Sequence, residues 1–377
     1  MEFDFSWLLW GLPLAFALGW LASRLDLRQI RIENRQAPKA YFRGLNFLLN
    51  EQQDQAIDAF IEAVRNDPDT SELHFALGNL FRRRGEYERA VRVHEHLLSR
   101  GDLAATDRHR AQHALALDFL KAGLLDRAEN ALRQLEGTDY EAQASLALLA
   151  IYERTRDWHS AGKTARKITD AGHGDFSNRL AHYLCEQASD SDSEQARALL
   201  KEAQAMAPQA VRPGLDLAEL QKRAGNCAAA FETLCDLASN VPESIGLIAR
   251  PLADAAMAVG QQTLAREVLA QHQARTPSLD VMDALAVLED SADAKRGHYL
   301  HQLEREPSLV AASRWMTGAP VTDSKIQPLL QRALDQAAKP LSRYRCAACG
   351  FEAIRHFWQC PGCQAWDSYP ARRVEEL

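Results

Sequence analysis

The chain is 377 residues long, 46% hydrophobic but only 7% aromatic, with a formal net charge of −7 at pH 7. That length can bury a large core, and the dominance of Ala and Leu over β-branched residues sets sheet folds aside for an all-α fold. The acidic balance weighs against a nucleic-acid binder, although it leaves room for local basic patches.

From Phe5 to Ala22 the chain carries no charge, and at ~1.5 Å per residue this run nearly crosses a bilayer core of ~30 Å. It predicts one transmembrane helix over residues 1–22. Trp7, Trp10 and Trp20 lie near its ends, where amphipathic rings favour the interface, and Pro13 is tolerated in lipid. A cleaved secretory signal fits poorly, because Glu2 and Asp4 replace a basic leader and the small-x-small triplets starting at Ala15 and Ala17 lie inside the apolar run. Residues 23–37 are a basic juxtamembrane segment in which Arg24, Arg28, Arg31 and Arg35, followed by Lys39, outnumber Asp26 and Glu33. Such a flank belongs on the cytoplasmic side. The expected arrangement is a single-pass N-terminal anchor with the bulk of the chain in the cytoplasm. Cysteine usage agrees: apart from four cysteines near the C-terminus, Cys185, Cys227 and Cys235 read as buried reduced thiols, which suits a reducing compartment.

A repeat organises residues 38–279. Aligning one alanine gives Ala56, Ala90, Ala128, Ala161, Ala196, Ala230 and Ala265, with spacings of 34, 38, 33, 35, 34 and 35, centred on the tetratricopeptide period. Pro68, Pro208, Pro242 and Pro277 each follow their alanine by twelve residues and end the second helix of a unit; Gly85, Gly123, Gly225 and Gly260 each precede theirs by five, in the turn between helices. A small residue recurs in the first helix as Gly44, Gly78, Ala116, Ala218 and Ala253, with Phe47, Phe81 and Phe119 three residues after the first three. The sequence resembles a superhelical solenoid of about seven tetratricopeptide repeats, the fourth and fifth being the least regular. Since one helix pair cannot bury its apolar stripe alone, neighbours stack and leave a concave face lined by first helices. By repeat position that face should display Leu45, Leu48 and Leu49, then Asn79, Arg82 and Arg83, and further along Lys222 and Arg223. These are the candidate partner-binding residues; the plainer alternative is that the basic ones are solvated helix faces.

Residues 280–340 read as additional, capping helices broken by Pro307 and Pro320, with a loop over Thr317–Lys325. No His-Glu-x-x-His, Gly-x-Ser-x-Gly or Gly-x-Gly-x-x-Gly occurs, and Gly162-Lys163-Thr164 lacks the glycine of a phosphate loop, Asp157 standing in its place. His109 and His113 fall one helical turn apart but lack a third ligand. Nothing assembles nucleophile, base and oxyanion donors, so no enzyme is expected.

Residues 341–377 carry the sharpest chemical signal. Cys346-Ala347-Ala348-Cys349-Gly350 and Cys360-Pro361-Gly362-Cys363 are two Cys-x-x-Cys turns whose thiolates suit one tetrahedral metal ion. Redox pairs also use Cys-x-x-Cys, but they usually open a helix in a βαβ unit, which this segment does not resemble. So short a segment needs metal for much of its folding free energy. Iron and zinc both accept four thiolates, and spacing does not choose between them. Phe351, Phe357, Trp358, Trp366 and Tyr369 either wall the site from water or pack onto the helices. The knuckles look like rubredoxin, with a shorter spacer and with Gln364 where rubredoxins usually keep a glycine; they also resemble the zinc ribbon of the RadA repair ATPase, whose phosphate loop is missing here.

The order of parts, from membrane span through basic helix and tetratricopeptide array to rubredoxin-like module, is similar to that of the lipopolysaccharide assembly protein B (YciM) family of Gram-negative bacteria. The resemblance covers essentially the full length. It implies a non-enzymatic inner-membrane adaptor that modulates lipopolysaccharide levels by promoting FtsH-mediated proteolysis of the lipid A deacetylase LpxC, and that gathers lipopolysaccharide-synthesis proteins at the membrane. It also implies iron on Cys346, Cys349, Cys360 and Cys363, with zinc as the other candidate. Two other readings stand beside it. One is a rubredoxin-type electron carrier on a membrane scaffold; the other is a nucleic-acid-binding zinc ribbon, for which Arg343, Arg345, Arg355, Arg372 and Arg373 provide charge. A homodimer is left open.

Overall fold

The computed structural model describes residues 15–20, 39–317 and 327–377. The expected anchor and juxtamembrane segment therefore lie almost wholly outside the described residues, as does most of the loop after Thr317; residues 15–20 are helical and exposed. Among the described residues no helix is long and apolar enough to cross a membrane. The chain forms two compact units, residues 1–155 and 156–377.

The first unit is a run of antiparallel helices: α1 (39–49), α2 (Gln53–Asn66), α3 (Ser71–Arg84), α4 (Tyr87–Ser99), α5 (Ala105–Ala122), α6 (Leu125–Arg133) and α7 (Glu141–Thr155). From α2 onward each packs on the next, and α3 also packs on α5. The aligned alanines explain this closeness: Ala56, Ala90 and Ala128 have no exposed surface, so a larger side chain at any of them would force the helices apart. Gly44 and Gly78 are tighter still. A Cβ at Gly44 would sit 2.8 Å from the Phe60 ring and one at Gly78 would sit 2.5 Å from the His94 ring. His94 is fully buried, and its Nδ1–H donates to Asp118 Oδ2 at 2.5 Å. Asp118 also accepts from Arg82 at 2.8 Å, and Arg82 donates further to Asn79 Oδ1 and Ala114 O. Arg82, expected to face a partner, is thus largely engaged in holding α3 to α5.

The second unit continues the hairpins with α8 (Trp158–Asp170), α9 (Ser177–Ser189), α10 (Ser193–Met206), α11 (Val211–Arg223), α12 (Cys227–Asn240), α13 (Ile245–Val259) and α14 (Gln262–Arg275). Ala161, Ala196, Ala230 and Ala265 are at most 3% exposed. The irregularity of the fifth repeat has a local cause: its turn holds no glycine, and Asp192 instead caps α10 by accepting from the Glu194 and Gln195 amides. Of the three scattered cysteines only Cys185 is buried; Cys227, which opens α12, and Cys235, which packs against the edge of the core there, are half-buried. Four more helices follow as two further hairpins: α15 (Leu279–Val287), α16 (Ala292–Arg305), α17 (Leu309–Thr317) and α18 (Gln327–Leu341). The last runs one residue past the predicted boundary at Pro340. After it come β1 (Tyr344–Arg345) and β2 (Glu352–Ala353), antiparallel with Tyr344 opposite Ala353.

Candidate metal centre

The two cysteine turns are built alike. In the first, the Cys346 amide donates to Phe351 O and the Gly350 amide to Cys346 O, both at 2.9 Å; in the second, Cys360 donates to Ala365 O at 2.9 Å and Gln364 to Cys360 O at 2.8 Å. The residue after the second cysteine is left-handed in each, Gly350 at φ +77° and Gln364 at φ +61°. Gln364 therefore adopts the backbone that a glycine takes more cheaply, at a cost of roughly 1 kcal/mol.

These turns bring four sulfurs together. The Sγ atoms of Cys346, Cys349, Cys360 and Cys363 all lie within 4.8 Å of one another, with 3.8 Å from Cys346 to Cys363 and 3.7 Å from Cys349 to Cys360. A tetrahedron with metal–sulfur bonds of ~2.3 Å has edges of ~3.8 Å, so the residues fit one metal ion. Their protonation points the same way. A hydrogen bond with Ser368 holds the Cys346 thiol down, to about 6. The Phe351 amide pulls Cys349 down too, but burial and the neighbouring sulfurs outweigh it and push that thiol up to about 12. Four thiolates at this spacing need a cation among them. Cys346 and Cys360 are buried and Cys349 and Cys363 exposed. Tyr369, itself buried, closes the inner side, its hydroxyl donating to Phe351 O at 3.2 Å.

Three of the five aromatic residues take the two expected roles, while Phe351 and Phe357 stay exposed. Tyr369 walls the site, while Trp366 and Trp358 dock the module on the helices. The Trp366 ring stacks on His182 of α9 with centroids 4.9 Å apart, and meets Trp158 of α8 and Tyr183 edge-on. Trp358 lies 5.8 Å from His182 and packs against the core of α11 to α15. His182 Nε2–H donates to Asp367 Oδ1 at 2.7 Å.

A second set of contacts follows the last cysteine turn. Arg373 donates from Nη2 and Nε to both oxygens of Asp280 on α15, at 2.6 and 2.9 Å, and its guanidinium lies 4.0 Å from the Tyr344 ring centroid. The Tyr344 hydroxyl donates to the same carboxylate. A Cβ at Gly246 would sit 2.7 Å from Ala371 O, so α13 needs glycine where the tail crosses it. Glu375 accepts from the Ser308 hydroxyl and the Leu309 and Val310 amides, and Glu376 from the Leu279 amide. The last residues thus place carboxylates on the positive N-termini of α17 and α15.

Residues 344–369 match the family described as a rubredoxin metal binding domain. Over its length the chain is 31% identical to lipopolysaccharide assembly protein B of Escherichia coli K12, covering 97% of this chain and 98% of that protein. The namesake from Haemophilus influenzae is 30% identical, covering 95% and 96%. The chain belongs to the lipopolysaccharide assembly protein B family. Among solved structures it is similar to a tetratricopeptide repeat protein from Parabacteroides merdae, at 13% identity over 67% of this chain and 99% of that one, with a TM-score of 0.36.

For this family member the expected groove residues fall into two groups. Leu45, Leu48, Asn79, Arg82 and Arg83 line one cavity of about 400 Å³ between α1 and α3. Leu49 stands outside its lining and is 79% exposed. In the other unit, Arg223 pairs with Glu219 and lines a cavity of about 420 Å³ with Cys185, Arg212 and Asp216; Lys222 does not line it. Of the five arginines in the metal module, Arg343 and Arg345 share Glu352 and Arg373 pairs with Asp280, so two carboxylates offset part of the charge a nucleic acid would use. His182, Asp280, Glu375 and Glu376 escaped the sequence reading, since no periodicity links a residue of the array to the tail that meets it.

Proposed function

We propose that the chain is a membrane-anchored adaptor that brings the deacetylase LpxC to the protease FtsH and so sets lipopolysaccharide levels. The observation that carries this reading is the closed metal site. Four protein thiolates complete a tetrahedron and leave no position for a substrate, which argues against catalysis at the metal itself. The bound metal would supply folding free energy to residues 344–369, and iron is the metal proposed. This chain's own residues do the rest: Trp366, Asp367 and Arg373 fix the module on α9 and α15, making one binding surface of helices and knuckles.

The proposed anchor at residues 1–22 confines that surface to the inner membrane beside the protease, so that substrate capture raises its effective concentration there. Reconstitution of FtsH and LpxC in proteoliposomes tests this. Adding the full chain should accelerate LpxC loss, and a chain lacking residues 1–22 should lose most of that effect. An LpxC half-life indifferent to the full chain would refute the adaptor reading.

A further inference from the structure

Arg83, Lys121 and Arg154 each stand seven residues before a repeat alanine, Ala90, Ala128 and Ala161. They occupy one position in successive first helices, the last turn of α3, α5 and α7. All three are exposed, and none forms an ion pair with a described residue. The macrodipole favours a cation at each helix C-terminus, but it does not explain why these three lack carboxylates. Other arginines in the unit have them: Arg84 pairs with Asp54 and Glu86, and Arg133 with Glu129. Two carboxylates of the same first helices are engaged elsewhere, Asp118 by Arg82 and His94, and Glu153 by a partner of its own. In a chain of net charge −7 this is a local excess of uncompensated cation.

The row ends at an apolar site. The equivalent position in the first repeat is Leu49, and the cavity between α1 and α3 sets Arg83 beside Leu45, Leu48 and Leu80. Packed helices such as α3 and α5 lie ~8–10 Å apart, about the reach of three residues of extended chain. Carboxylates three residues apart would therefore meet Arg83 and Lys121 in turn, with Arg154 further along the same repeat position.

We propose that this face of the first unit binds an extended peptide segment rich in Asp and Glu, with a bulky apolar side chain seated in the cavity between α1 and α3. The inference rests on the adaptor reading only in taking the partner to be a protein. The probe is a short fluorescein-labelled peptide with leucine at one end and Glu at every third position, compared with its Gln counterpart. Binding is measured by anisotropy to the full chain in detergent micelles. The Glu peptide should bind more tightly than the Gln peptide. The combined variant Arg83→Gln, Lys121→Gln, Arg154→Gln should weaken it roughly tenfold, as expected for three exposed charge pairs, with the helical circular dichroism unchanged. Leu45→Ser should weaken the leucine-bearing peptide and spare one ending in serine, and Arg92→Gln on the outer face of α4 should change nothing.

Equal binding of the Glu and Gln peptides, or unaltered binding by the triple variant, overturns the proposal. So does tighter binding of single-stranded DNA or polyphosphate of equal charge, which would make the face a polyanion surface. Peptide binding lost while LpxC turnover persists would sink this inference alone; turnover indifferent to the chain while peptide binding persists would sink only the adaptor function.

Discussion

The helical hairpins and the cysteine module reach stability by different routes. In the hairpins, order comes from many equivalent small burials: an alanine with almost no exposed surface recurs in each of seven second helices, and within each compact unit neighbouring repeats share an apolar face. The module has only a two-stranded sheet and a small cluster around Tyr344, Cys346, Cys360 and Tyr369. Its other holds are four cysteines placed for one metal ion and a few point contacts to α9, α13, α15 and α17. Damage to a repeat should therefore be graded, whereas damage to the module should be all-or-none.

Metal removal is the sharpest way to break that comparison. Four-thiolate sites contribute ~10 kcal/mol or more to folding of small modules, far beyond what residues 344–377 hold otherwise. Chelation, or Cys360→Ser, should leave helical circular dichroism nearly intact, shift Trp fluorescence strongly as Trp358 and Trp366 leave their pocket, and open protease cleavage after Leu341. Unchanged fluorescence would mean that the docking contacts alone keep the module folded.

The next largest effect belongs to the pair Arg373–Asp280, whose side chains are 21% and 15% exposed. Arg373→Ala strands the carboxylate beside the Tyr344 hydroxyl, and should lower the urea-unfolding free energy of the second unit by about 2–3 kcal/mol, short of the penalty in a fully sealed pair. Arg345→Ala, whose exposed pair with Glu352 lies within the module, should cost well under 1 kcal/mol. Glu375→Ala, which removes the acceptor from the α17 amides, should fall between them at about 1 kcal/mol; thermal melts should rank Arg373→Ala, Glu375→Ala and Arg345→Ala from largest loss to smallest.

The same division explains what could be read from the sequence. Repeat positions and metal ligands were legible because each obeys a spacing rule: about 34 residues between alanines, two residues between paired cysteines. The contacts joining module to helices obey none. His182 and Asp367 are 185 residues apart, and Arg373 and Asp280 are 93 apart. Only folding brings them together, and as single residues they look like any other surface His, Asp or Arg. Arg82 shows the converse: its repeat position marks the groove, whose cavity it lines, but spacing gave no sign of its pair with the buried Asp118 of the next repeat.

The turns between helices offer the finest comparison, since one backbone shape is made there by different residues. Five positions before the repeat alanine the chain is left-handed at Gly85, Gly123, Gly225 and Gly260, but also at Glu51 (φ +59°) and Arg156 (φ +60°). The glycine signal was thus missing from the first and fourth units although the conformation is not. A side chain in this region costs ~1–2 kcal/mol, partly offset because glycine makes the unfolded chain freer by ~0.4–1 kcal/mol. Glu51→Gly and Arg156→Gly should each raise stability, by about 0.5 kcal/mol, read as a later urea midpoint at unchanged slope. Gly85→Ala should move the midpoint the other way by somewhat more; an added Cβ there meets nothing within 4 Å, so its cost is purely conformational. If Glu51→Gly destabilises instead, the Glu51 side chain contributes more than its backbone strain removes, and the first turn is held by a contact rather than by its shape.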